Sequence, residues 1–276
     1  MIARIATAAL LIPLAVAGIF LLPPHWFFVL LLAIVELQAY EFVRVCRAWA
    51  PHAPLEALLL LVPPTALLLT PGALWQSPTT VPWEYLIVIQ MVLSVGVGSL
   101  VLLGRTPVEE SMGAFGVFGF GMAYFALPVA AVTRIRDLDP WALFLLVAIV
   151  WVGDSAAYFV GTAWGKRKLA PIVSPNKSWE GAAAAVVASL LVAAGWSKYR
   201  LGGIDGAILT MAVLTSIGGQ IGDLVESMLK RGAGVKDSGT LLPGHGGMLD
   251  RMDALMFAAP VMLVCLWVLG YDIVVP

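Results

Sequence analysis

Charge is what this sequence lacks. Only 12% of its 276 residues are Asp, Glu, Lys or Arg, against about 25% in soluble domains. So few charges could not cover the surface of a water-soluble fold. The net charge is −1, so no global basic character invites nucleic acid. Cysteine is almost absent. Cys46 and Cys265 stand far apart in or beside apolar runs and read as small buried hydrophobes. No CxxC pair or Cys/His cluster suggests a zinc site. Long polar stretches are missing too. The longest polar loops run to about 20 residues, leaving no room for a separate soluble domain, and no repeat or low-complexity tract appears.

Apolar runs fill the chain instead. It is 61% hydrophobic, with mean hydropathy +0.94. A membrane helix needs roughly 20 mostly apolar residues. That rule predicts nine spans, at about 4–22, 25–43, 54–71, 83–104, 112–133, 140–163, 179–197, 205–229 and 250–273. The fold class is therefore an all-α polytopic integral membrane protein. The opening run resembles a signal peptide, with Arg4 ahead of apolar residues, but it lacks a small-x-small cleavage site and reads as a retained first helix. Pro63 and Pro64 should kink or break the third span. Gly113, Gly116 and Gly119 in the fifth, and Gly218 with Gly222 in the eighth, suit close helix contact.

Basic residues set the orientation. With the N-terminus inside, 12 Lys and Arg fall on the cytoplasmic side and 4 on the other. Eight of the twelve lie in two loops, 164–178 and 230–251. The chain divides on this basis into residues 1–139, five spans with little polar chemistry, and residues 140–276, a catalytic region of four spans. In the first part only Glu36 and Glu41 stand out. Close to Arg44 and Arg47, they read as having a structural role, in an ion pair or at an interface.

Three polar constellations occupy the second part. In 153-GDSAAYFVGTAWGKRK-168, Asp154 lies inside an apolar helix, where a lone acid costs several kcal/mol unless a base, metal or proton answers it. The run GTAWGKRK is one residue short of a P-loop and lacks its Ser or Thr. In 174-SPNKSWEG-181, Ser178 is a candidate N-cap. With Ser174, Lys177 and the helix N–H groups it could receive a phosphate. In 220-QIGDLVESMLKRGAGVKDSGTLLPGHGGMLDRMD-253, Asp223 and Glu226 share a helix face, as do Asp250 and Asp253. Between them lie Lys230, Arg231, Lys236, Asp237, Arg251 and a glycine-rich turn whose N–H groups can form an anion nest. Acids flanking such a nest suggest Mg²⁺ bridging carboxylates and phosphate oxygens.

At this point the sequence resembles the phosphatidate cytidylyltransferases, or CDP-diacylglycerol synthases. Their pattern S-x-x-K-R-x4-K-D-x-G-x2-L-P-x-H-G-G-x-x-D-R-x-D is matched in full by 227-SMLKRGAGVKDSGTLLPGHGGMLDRMD-253. SPNKSWEG and, more loosely, GDSAAYFVG extend the likeness, with Asn176 and Ala156 where members often carry Lys and Gly. The resemblance covers about residues 150–260.

The resemblance implies that CTP and phosphatidic acid give CDP-diacylglycerol and pyrophosphate at the cytoplasmic face of the inner membrane. It implies Asp223 and Asp250 as Mg²⁺ ligands, with Asp253 and Glu226 as further carboxylates and room for a second metal ion. Lys230, Arg231, Lys236 and Arg251 would neutralise phosphates, as would Lys177 with Ser174 and Ser178. Asp154, Asp237, His245, Gly246 and Gly247 complete the expected substrate contacts, and a homodimer is an expectation for such a family. Two other classes share part of this pattern: another membrane lipid phosphotransferase or lipid kinase, and an anion transporter built on broken helices.

Overall fold

A computed structural model describes residues 2–70, 88, 90–103, 106–239 and 246–269. Its helices are α1 (Ile2–Leu21), α2 (Pro24–Cys46), α3 (Ala57–Leu69), α4 (Gly98–Leu102), α5 (Ser111–Leu138), α6 (Pro140–Trp164), α7 (Trp179–Leu201), α8 (Gly206–Gly232) and α9 (Leu249–Val268). Among the described residues, six helices are long and apolar enough to cross a membrane: Pro24–Cys46, Val108–Leu138, Pro140–Trp164, Trp179–Leu201, Gly206–Gly232 and Leu249–Val268. The protein is thus a helical membrane protein.

Three of the nine expected spans do not add to that set. α1 covers the first in length. α3 covers the third with 13 residues, short of the roughly 20 that a crossing needs. The expected break at Pro63 and Pro64 does not occur, for α3 continues through both. Of the span expected at 83–104, residues 88 and 90–103 are described. Its described part is a π-helical stretch, Val92–Val97, running into α4.

Local chemistry explains the helix ends. Pro24 opens α2, where the ring's fixed φ suits the first turn and no N–H is missed. Asp139 caps α6 by accepting from Trp141 N at 2.9 Å, and Pro140 follows it. Ser178 caps α7 as expected, accepting from Gly181 N at 3.2 Å. The loop before it is not irregular. Strands β1 (Lys168–Ala170) and β2 (Ser174–Ser178) form a small antiparallel hairpin, which an all-α reading did not include.

The chain falls into two compact units, Met1–Arg134 with Leu229–Arg251, and Ile135–Met228 with Met252–Pro276. In the first, an aromatic cluster of Phe42, Phe120, Tyr124 and Phe125 joins α2 to α5. Gly113 of α5 lies under the Trp49 carbonyl, 2.9 Å from where a Cβ would stand. Gly116 and Gly119 were expected to make similar contacts, but both face open space among the described residues.

In the second unit, α6 packs along α7, and Arg200 reaches Asp139 at 3.2 Å. Gly218 and Gly222 of α8 do lie against α9. A Cβ on Gly222 would stand 2.6 Å from the Asp253 carbonyl, and one on Gly218 would stand 2.9 Å from Val261.

Candidate active site

Each unit carries its own polar cluster. In the second unit the hairpin presents Lys177. Its geometry follows from Glu180, in the first turn of α7, whose carboxylate accepts from the N–H groups of Lys166 and Arg167 at 3.2 Å. Trp179 N donates to Arg167 O at 2.9 Å, closing the same loop. Lys177 Nζ, so placed, lies 2.6 Å from Asp223 Oδ2 on α8.

Asp154 on α6 and Asp253 on α9 are within electrostatic reach of Asp223, and of Lys177 as well. Three carboxylates thus share the electrostatic field of one lysine. A small cavity beside them is lined by Asp154, Ser216, Gln220 and the backbone-close residues Gly153, Gly219 and Ala254. Ser174 and Ser178 flank Lys177 on β2, with Ser178 buried under its capping bond. Glu226 is buried, one turn beyond Asp223.

In the first unit the cluster is built on the end of α8 and the start of α9. Lys230 Nζ lies 2.5 Å from Asp250 Oδ1, the two side chains only 12% and 8% exposed. The same carboxylate accepts from Ser238 N at 3.1 Å and from Gly247 N at 2.8 Å. Gly246 takes φ +81°, a conformation open to glycine at no steric cost. The Gly247 N–H, expected to serve an anion nest, is directed at the Asp250 carboxylate. Arg231 donates to Val235 O at 3.1 Å, which tightens the end of α8. Lys236, Asp237 and Arg251 are exposed. His245 lies outside the described residues.

Two residues that sequence reasoning left out join this cluster. Arg44, from the end of α2, lines an open pocket of about 360 Å³ with Lys236, Asp237, Ser238 and Gly239. Glu41 is buried, and its Oε2 accepts from Ser238 Oγ and from Leu249 N, both at 2.9 Å. The expected ion pairs of Glu41 with the α2 arginines do not form. Arg47 is bound to Glu56 and to the carbonyls of Pro51 and Ala53, and Arg44 lies over the Tyr40 ring. Arg47 also holds the Glu56 carboxyl below its ordinary range through their hydrogen bond. The available signal was the spacing of Glu41 and Arg44, one turn apart on a helix made mostly of apolar residues.

Among the described residues, no three His, Cys, Asp or Glu converge closely enough to form a ready-made metal site. The donor chemistry nonetheless fits Mg²⁺, since the surplus of carboxylates around Lys177 suits a hard cation that completes its shell with substrate phosphates.

Lysine–carboxylate pairs on or beside membrane-length helices are groups of a kind suited to phosphorylated ligands. Sequence comparison narrows the class. The profile of the cytidylyltransferase family matches residues 2–269, and the chain belongs to that family. It is similar to the phosphatidate cytidylyltransferase of Pseudomonas aeruginosa, 37% identical over 283 residues and 97% of each chain. The enzyme of the same name from Bacillus subtilis is 42% identical over 168 residues, which is 58% of this chain and 62% of the relative. That of Haemophilus influenzae is 49% identical over 146 residues, 48% and 50% of the two chains.

Proposed function

We propose that the protein is a CTP:phosphatidate cytidylyltransferase, a nucleotidyltransferase that makes CDP-diacylglycerol and pyrophosphate for phospholipid synthesis. The observation carrying this reading is the unbroken signature 227–253, whose Lys230 and Asp250 are paired and buried within a chain of that family. Family membership favours it over the lipid kinase and transporter readings.

The chemistry needs no general base. The lipid phosphate is ionised at neutral pH, and one of its oxygens attacks the α-phosphorus of CTP. The bond from that phosphorus to the α–β bridging oxygen breaks, and pyrophosphate leaves with the electron pair. The barrier is the approach of two polyanions and the charge gathering on pyrophosphate, which fixed positive groups relieve. Lys177 and Lys230 would contribute by exchanging a carboxylate partner for a phosphate. Lys236, Arg231 and Arg251 would do so from exposed positions. Arg44 and Lys236, facing one pocket, would receive the phosphate of the lipid. The exposed side of α2 below them bears Trp26, Leu30, Leu37 and Tyr40, an apolar stripe for the acyl chains.

Mg²⁺, when bound, would neutralise phosphate oxygens. Asp223, and separately Asp250, are its proposed ligands, with Asp253 and Glu226 as further carboxylates. The N-terminus would be cytoplasmic and the site would face the cytoplasm from the inner membrane, an orientation that the excess of Lys and Arg on that side supports.

The test is purified protein in detergent with CTP, Mg²⁺ and phosphatidic acid. Pyrophosphate and CDP-diacylglycerol should form in equal amounts. Absence of product, with labelled anion accumulating inside proteoliposomes, would overturn the enzyme reading.

A further inference from the structure

Among the described residues of the N-terminal helices, Glu41 is the acid whose hydrogen bonds reach the signature. It sits on α2, 3% exposed, yet its two hydrogen-bond donors are 197 and 208 residues away in sequence. Those donors, Ser238 Oγ and Leu249 N, bracket the stretch 239–248. Leu249 opens α9, where the first N–H groups have no partner within the helix and favour a negative charge. Glu41 thus caps a helix from another segment of the chain, while Asp250 of that helix holds the backbone N–H groups of Ser238 and Gly247.

The glycines of the motif fit around this carboxylate. A Cβ on Gly239 would stand 2.5 Å from Glu41 Oε1 and meet no other group at comparable range. A Cβ on Gly247 would collide with Glu41 Oε2 and Ser238 Oγ. Neither glycine has positive φ, so closeness to Glu41, not backbone conformation, explains glycine at both places. Among the described residues, no base forms an ion pair with Glu41. Arg47 is engaged by Glu56, and Arg44 faces the pocket with Lys236.

We infer that Glu41 is a positioning residue for nucleotidyl transfer. It ties Ser238 to Leu249 at the start of α9, so that Lys236 and the Lys230–Asp250 pair are presented in one arrangement. It touches no substrate and acts through these two contacts. The inference rests on the reaction proposed above.

The experiment compares E41Q, E41A, S238A, G239A and E41A/G239A in detergent, measuring kcat, KM for CTP and hydrogen exchange by mass spectrometry. E41Q keeps an acceptor oxygen for both donors and should stay within about threefold of wild-type kcat. E41A should lose tenfold or more in kcat with KM for CTP changed less than twofold, and S238A should lose about threefold. Because G239A acts by colliding with Glu41, it should be costly alone and cause no further loss in the E41A background. Peptides covering 238–249 should exchange faster in E41A and not in E41Q, while those of α5 stay protected. This exchange readout needs no substrate, so an inactive wild-type protein would count against the reaction and leave the loop assignment standing or falling on its own. Wild-type kcat in E41A, multiplicative losses in the double variant, or unchanged exchange at 238–249 overturns the inference. Should E41A fail to run as a single species on gel filtration, S238A decides: wild-type kcat and unchanged exchange there overturn it as well.

Discussion

Lys177 Nζ lies 2.6 Å from Asp223 Oδ2, on a hairpin and a helix 46 residues apart in sequence by simple subtraction of their numbers. Neither charge would remain at a helix end without an answer, and a phosphate and a metal ion can each take over from one partner. We expect D223N to reduce kcat at least 100-fold while the protein elutes and melts as wild type. K177M should raise KM for CTP or phosphatidate about tenfold. Chelation of Mg²⁺ should stop turnover and dilution into excess Mg²⁺ restore it. Near-normal turnover in D223N excludes Asp223 as a metal ligand.

The Lys230–Asp250 pair is more deeply placed, so its loss should be felt in stability as well as rate. Removing one partner of a buried pair costs about 3–5 kcal/mol, because the other is left uncompensated. D250N should therefore lower the melting temperature and abolish turnover. K230M/D250N should recover the melting temperature without recovering turnover. If D250N melts as wild type, Lys230 has another partner and the pair is not structural.

Arg44 predicts a separation of the two substrates. R44A should raise KM for phosphatidate about tenfold and leave KM for CTP within twofold. Short-chain phosphatidate in detergent micelles makes the measurement direct. Equal shifts in both constants would assign Arg44 to general charge rather than to the lipid phosphate.

Helix spacing gives a prediction away from the charged groups. Alanine at Gly222 would press on the Asp253 carbonyl, and overpacking of this kind typically costs about 1–3 kcal/mol. G222A should thus lower both melting temperature and kcat, because α9 must shift and Asp253 with it. G119A meets open space and should leave both unchanged, which makes it the control.

Much of this protein is legible without coordinates, and the reasons are physical. Hydropathy alone locates the six long helices, since backbone in lipid has few options other than the helix. Ser178 could be read as a cap and Gly222 as a contact because both signals are local. The length of α3 could not, because apolar residues continue past the point where a helix stops. Gly116 and Gly119 show the limit of small residues as a sign of contact, for glycine on a helix face says that a neighbour could approach, not that one does. The hairpin at 168–178 was hidden in a short basic loop whose pairing depends on Glu180 folding back. Asp223 and Lys177 were each visible, but their pairing joins two constellations that sequence spacing does not link. Glu41 was visible only as an oddity, since its donors lie some 200 residues on and no periodicity reports such a distance.

The cap supplied by Glu41 also bears on how portable the signature is. A contiguous motif of 27 residues, 227–253 by position, looks like a cassette that could be grafted onto any pair of membrane helices. Here it is not self-sufficient. Two of its glycines, Gly239 and Gly247, lie against an acid contributed by α2, and a host lacking that acid would leave the start of α9 without its cap. Chimeras between relatives should therefore function when α2 and the signature are inherited together and fail when they are parted, however hydrophobic and well inserted the replacement helix is.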